Sequence, residues 1–97
     1  MAYDKTKLTE AEVAEFLAQH PRWTRAGEEL SRTFELADFR AAMAFVNRVA
    51  EAANAADHHP DIDIRYRKVR LALTTHDAGG LTSRDTLLAA QADGFEG

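Results

Sequence analysis

The chain contains no cysteine. Disulfides, cysteine-based zinc fingers, iron–sulfur clusters and thiol nucleophiles are excluded on that ground, and the absence fits a reducing cytosol. No apolar run is long enough to cross a bilayer as a helix. The opening segment MAYDKTKLTE is polar and carries acids, unlike a secretory leader, so a cytoplasmic protein is the expectation. Positive charge is not in excess: 12 Lys and Arg stand against 16 Asp and Glu, for a net charge of −4. The basic footprint of a nucleic-acid binder and the polybasic patch of a membrane-surface protein are therefore both missing. Proline occurs twice and tryptophan once, and there are no sequence repeats or low-complexity tracts.

What is present has the make-up of a soluble globular domain, with 45% hydrophobic and 29% charged residues. The length suits one domain, 1–97, with 1–7 as a loose N-terminal arm. LTEAEVAEFLAQHP reads as a helix capped by Thr9 with Glu12 completing a capping box, and Pro21 ends it. His20 reads as a helix-end residue and Trp23 as a core anchor. RWTRAGEELSRTFEL reads as a hairpin turning at Gly27, with Leu30, Phe34 and Leu36 in period two. A second helix, 38–56, follows Asp38 as N-cap. Its apolar arc covers roughly 200°, twice what packing on one sheet requires. Phe39, Met43, Val46, Ala50 and Ala53 form the expected core face, and Phe45, Val49 and Ala52 the surplus face, free to meet another subunit.

IDIRYRKVRLALTT is a second hairpin. With Arg67-Lys68 as a two-residue turn, Tyr66 faces Val69, Ile64 faces Leu71 and Ile62 faces Leu73, all apolar on one side. A glycine-hinged loop then enters a third helix, with Thr82 and Asp85 as cap residues, Leu87, Leu88 and Ala89 as its apolar side, and Gly94 as its end. The order α-β-β-α-β-β-α, in which the ββα unit occurs twice, predicts an α+β domain. It would hold one four-stranded antiparallel sheet with helices on one face.

The same register sets His59 opposite His76 at the open end of the second hairpin, with His58 adjacent and Pro60 restricting the backbone of His59. Three readings of this cluster stay open. The rings are solvated and inert, or they bind zinc with one open position, or they share acid and base roles, for which imidazole is suited near neutral pH. No HxxxH or HxH spacing favours the metal.

HHPDIDIRYRKVRLALTTHDAGGLTSRD resembles the signature of the pterin-4a-carbinolamine dehydratases. The matching residues are His58, His59, Pro60, Tyr66, Thr75, His76, Gly80, Leu81, Thr82 and Asp85, and the likeness extends over roughly residues 8–92. The resemblance implies dehydration of a 4a-hydroxy-tetrahydropterin to a quinonoid dihydropterin, in pterin recycling after aromatic amino acid hydroxylation, with no metal or organic cofactor. It implies His58 and His76 as the acid–base pair, His59 chiefly as a substrate holder, and Asp85 as a binding or orienting carboxylate. Pro60, Thr75, Asp77 and Ala78 would complete the substrate site. It also implies a homodimer or homotetramer, which the surplus face of helix 38–56 suits. Two positions depart from the family pattern. Asn54 stands where an acid is common, with Asp57 or Glu51 as substitute charge, and Ile62 stands where some members carry Trp. The reading from another class is a non-catalytic dimerisation or binding module on the same fold.

Overall fold

Thr9 and Glu12 cap the first helix reciprocally. The Glu12 amide donates to Thr9 Oγ1 at 3.1 Å, and the Thr9 amide donates to Glu12 Oε1 at 2.8 Å. The structure, a computed structural model describing residues 5–96, places α1 at Glu10–Gln19, with Val13 buried and Phe16 and Leu17 partly buried against the core. β1 (Thr24–Ala26) and β2 (Glu29–Glu35) follow, turning at Gly27, whose φ of 61° is left-handed. α2 (Phe39–Ala56) has its N-cap at Asp38, whose Oδ1 accepts from the Ala41 amide at 2.8 Å. β3 (Asp61–Arg65), β4 (Lys68–Leu73), a short 3-10 turn (His76–Ala78) and α3 (Ser83–Phe95) complete the chain. The sheet is antiparallel throughout, in the order β1-β2-β4-β3. Leu30 and Phe34 of β2 join Val69, Leu71 and Leu73 of β4, Phe45 and Val49 of α2, and Leu88 of α3 in one core. The α+β architecture is as the pattern predicts. No described helix is long and apolar enough to cross a membrane.

The second hairpin turns one residue earlier than expected. Ile64 pairs with Val69 and Ile62 with Leu71, while Tyr66 leaves the ladder for the turn, with φ 54° and 68% exposure. The expected and observed registers differ by two residues. A shift of two preserves which face each side chain occupies, so the apolar pattern fits both equally well. The left-handed backbone of Tyr66 is what separates them, and an aromatic residue gives little sign of adopting it.

The faces of α2 are rotated relative to expectation. Its buried stripe is Ala42, Phe45, Val49 and Ala53, and Phe45 is 2% exposed with its ring centroid 4.6 Å from that of Phe34. Phe39, assigned to the core, is 49% exposed, and Met43 is half-buried. An arc this wide does not reveal its own centre. The small Ala42 lets the helix approach the sheet, and the large Phe45 fills the space beneath it. In α3, Leu87 is exposed and Gly94 lies inside the helix instead of after it. Of the arm expected at 1–7, residues 1–4 lie outside the described residues, and Lys7 forms an antiparallel bridge with Thr82.

Candidate functional site

α2 ends in a way that aims the next residue inward. Asp57 takes a left-handed conformation, with φ 51° and ψ 43°, and the His58 amide reaches back to the Ala53 carbonyl at 3.1 Å. His58 is thereby turned under the helix end and buried. The Arg84 guanidinium, from the first turn of α3, donates to the carbonyls of Ala56 (3.2 Å) and Asp57, tying the end of one helix to the start of the other. Burial pulls Arg84 below its ordinary pKa, and the neighbouring Asp85 carboxylate opposes that shift.

Asp85 is the hub. It is fully buried, and each carboxylate oxygen is engaged. Oδ1 meets His58 Nε2 at 2.5 Å, while Oδ2 accepts from the Thr75 hydroxyl at 2.8 Å and from the Thr82 amide at 3.0 Å. Thr75 Oγ1 and Thr82 Oγ1 lie 2.9 Å apart. Thr75 has one hydroxyl proton and gives it to Asp85, so Thr82 is the donor between the two hydroxyls. The cap expected from Thr82 and Asp85 is therefore present, and the same carboxylate also holds the histidine. Charge-assisted bonds of this kind are the stronger sort, and a buried polar network carries little cost only when, as here, its members are mutually satisfied.

The other two imidazoles lie at the rim. His59 is exposed, with Nε2 2.9 Å from Asn54 Oδ1, and Pro60 beside it is half-buried. His76 is exposed and opens the 3-10 turn, directly after the buried Thr75. Asp77 is exposed and 3.8 Å from Lys5, and Ala78 is half-buried. Thr75 and Gly80 form a bridge that closes the loop carrying His76. The ladder of β3 and β4 stops at Asp61 and Ala72, so His59 and His76 are not cross-strand partners as the expected register has them. The link that the structure does make runs from His58 through Asp85 to Thr75, the residue before His76. Asp57, expected to replace the charge missing at Asn54, serves as the left-handed cap through its backbone. The zinc reading needs converging rings, whereas His58 turns to Asp85 and His59 to Asn54.

A second cluster escaped the sequence reading. Asp93 of α3 accepts from Arg32 NH1 through Oδ1 at 2.5 Å and from Trp23 Nε1 at 2.8 Å, and its Oδ2 meets His20 Nδ1 at 2.7 Å. Arg32 NH2 reaches Glu96 at 2.8 Å, and its guanidinium carbon sits 3.9 Å from the Phe34 ring centroid. His20 and Trp23 thus share one carboxylate, which ties the end of α3 to the α1–β1 connection, while Arg32 ties it to β2. The available signal was Arg32 itself, an inward position of period two between Leu30 and Phe34.

A family model described as Pterin 4 alpha carbinolamine dehydratase matches residues 6–95. A protein of Chloroflexus aurantiacus, provisionally named a pterin-4-alpha-carbinolamine dehydratase, is 63% identical over 91 residues, spanning 94% of this chain and 98% of its own. Among solved structures, a transcriptional coactivator/pterin dehydratase of Brucella melitensis superposes with a TM-score of 0.90 at 32% identity, covering 95% of this chain and 100% of that one. A pterin dehydratase-like protein identified as a RuBisCO assembly factor in the alpha-carboxysome superposes at 0.64 with 21% identity, over 78% of this chain and 88% of its own, a likeness of fold alone.

Proposed function

The chain belongs to the pterin-4a-carbinolamine dehydratase family, and from that premise we propose that it dehydrates a 4a-hydroxy-tetrahydropterin. The C4a–oxygen bond breaks, a ring N–H gives up its proton, and a new C=N bond leaves a quinonoid dihydropterin. The departing hydroxide takes a proton and leaves as water. No electrons are gained or lost, so the step needs one acid and one base and no oxidant. His58 and His76 fill these two roles. Asp85 holds His58 through Nε2, and His59, Pro60 and the Thr75–Ala78 backbone hold the flat substrate. The setting is the cytosol, after a hydroxylase has used its pterin.

The observation that carries this reading is the buried His58–Asp85 pair at 2.5 Å, joined through the Thr75 hydroxyl to the residue preceding His76. A positioned acid or base contributes on the order of 10²- to 10⁴-fold in rate. Purified protein is therefore expected to accelerate conversion of a 4a-hydroxy-tetrahydropterin, followed by absorbance, by at least ~100-fold over buffer. A rate equal to that of buffer refutes the reading.

Self-association through helix 38–56, as a dimer or tetramer, is the second part of the proposal. The outer side of α2 supports it, where Phe39 is exposed and Met43 half-buried near the exposed Tyr66. Phe39→Glu places a charge on that face without touching the core. It is expected to shift the sedimentation coefficient toward that of the monomer. An unchanged coefficient removes α2 as the interface.

A further inference from the structure

We propose that Asn54 is a positioning residue for His59, holding its neutral ring in the form protonated on Nε2 and leaving Nδ1 as the acceptor that meets the substrate. The proposal rests on the reading of His59 as a substrate holder. Asn54 lies in the last turn of α2, and its Oδ1 is 2.9 Å from His59 Nε2. An amide oxygen only accepts, so the ring nitrogen opposite it must donate. A neutral imidazole carries one N–H, and once Nε2 holds it, Nδ1 has the lone pair. The ring is constrained from two directions. Pro60 confines the backbone of His59 to extended conformations, and Asn54 holds the far edge of the ring.

The amide also explains how this chain works with an uncharged residue where an acid is common in the resemblance. A carboxylate would hold the same nitrogen but would also favour the imidazolium, in which both nitrogens donate and no acceptor remains. Asn54 fixes the ring's direction without adding a negative charge beside it. An acceptor at Nδ1 suits a substrate that presents ring N–H and amino groups, as a pterin does.

The test is nitrogen-15 NMR of ring-labelled protein without ligand, at a pH where the rings are neutral, with a His59→Gln spectrum to identify the ring. The wild type is expected to show a protonated Nε2 and a bare Nδ1. Asn54→Ala is expected to blend the two tautomers. It should also raise KM about 2- to 10-fold, the worth of one neutral hydrogen bond, with a smaller change in kcat. Asn54→Asp keeps an accepting oxygen opposite Nε2 but favours the imidazolium, so it is expected to restore the Nε2-protonated, Nδ1-bare signature once the pH is raised until that variant's ring is neutral. A wild-type ring protonated on Nδ1, as the opposite amide orientation would give, overturns the proposal, and so does a signature that Asn54→Ala leaves unchanged. The spectra require no turnover. A protein inactive toward hydroxypterins would refute the dehydratase reading while the spectra still decide the Asn54–His59 assignment.

Discussion

His58→Gln is expected to fold like the wild type and to lose about 10²- to 10⁴-fold in dehydration rate. Glutamine can place an N–H near Asp85 Oδ1, where His58 Nε2 lies at 2.5 Å, so the buried carboxylate keeps a donor. It cannot take up and release a proton near neutral pH, so the chemistry is removed while the bond remains. His58→Ala removes both. Asp85 is fully buried and would retain only the Thr75 hydroxyl and the Thr82 amide. Losing a partner from such a group costs about 1–3 kcal/mol. The two variants should therefore have similarly low rates and different melting temperatures. Stopped-flow dehydration kinetics alongside thermal melts check both halves. A His58→Gln protein with wild-type turnover would remove His58 from the acid–base pair.

Asp93→Ala is expected to produce the largest loss of stability, on the order of 3 kcal/mol or more. The side chain of Arg32 is 5% exposed and depends on Asp93 at 2.5 Å and Glu96 at 2.8 Å. Without Asp93 the cation keeps only the carboxylate nearer the chain end, and Trp23 Nε1 loses its acceptor. Breaking a buried pair on one side leaves the buried cation only partly compensated, which is worse than having no pair. Arg32→Met on its own removes the buried cation. The double variant Arg32→Met/Asp93→Ala should cost less than the sum of the single losses, because the two residues act as one unit. Urea unfolding measures all three. An additive double variant would show that the clamp is not a coupled pair. A loss of ~3 kcal/mol is a large share of the 5–15 kcal/mol by which ordinary domains are stable.

Residues whose roles depend on neighbours in the chain were readable without coordinates. Thr9, Asp38 and Thr82 cap helices because the groups they satisfy lie two or three residues away. The strands followed from period two for the same reason. Roles that depend on where distant elements meet were not readable. Asp85 was visible as a cap, but its bond to His58 requires the end of α2 to lie beside the start of α3. Phe45 and Phe39 look alike in a wide apolar arc, and only the position of Phe34 beneath the helix tells them apart. Arg32 and Asp93 are 61 residues apart, and nothing local announces their pairing. The register expected from the sequence, which sets His59 opposite His76, is two residues off. The register was wrong, yet the two loop ends it pointed to do meet, because His58 and Thr75 both reach Asp85.

The network around Asp85 is complete within the folded chain itself. The orientation of the His58 ring is thus settled during folding. Immobilising a free side chain at the moment of binding typically costs about 0.5–1.5 kcal/mol. Here that loss of freedom is offset by the core and the helix caps. If the proposed function holds, a ligand arriving at His58 would meet a ring already facing one way, and the adjustment that accompanies binding would fall to the exposed rings of His59 and His76.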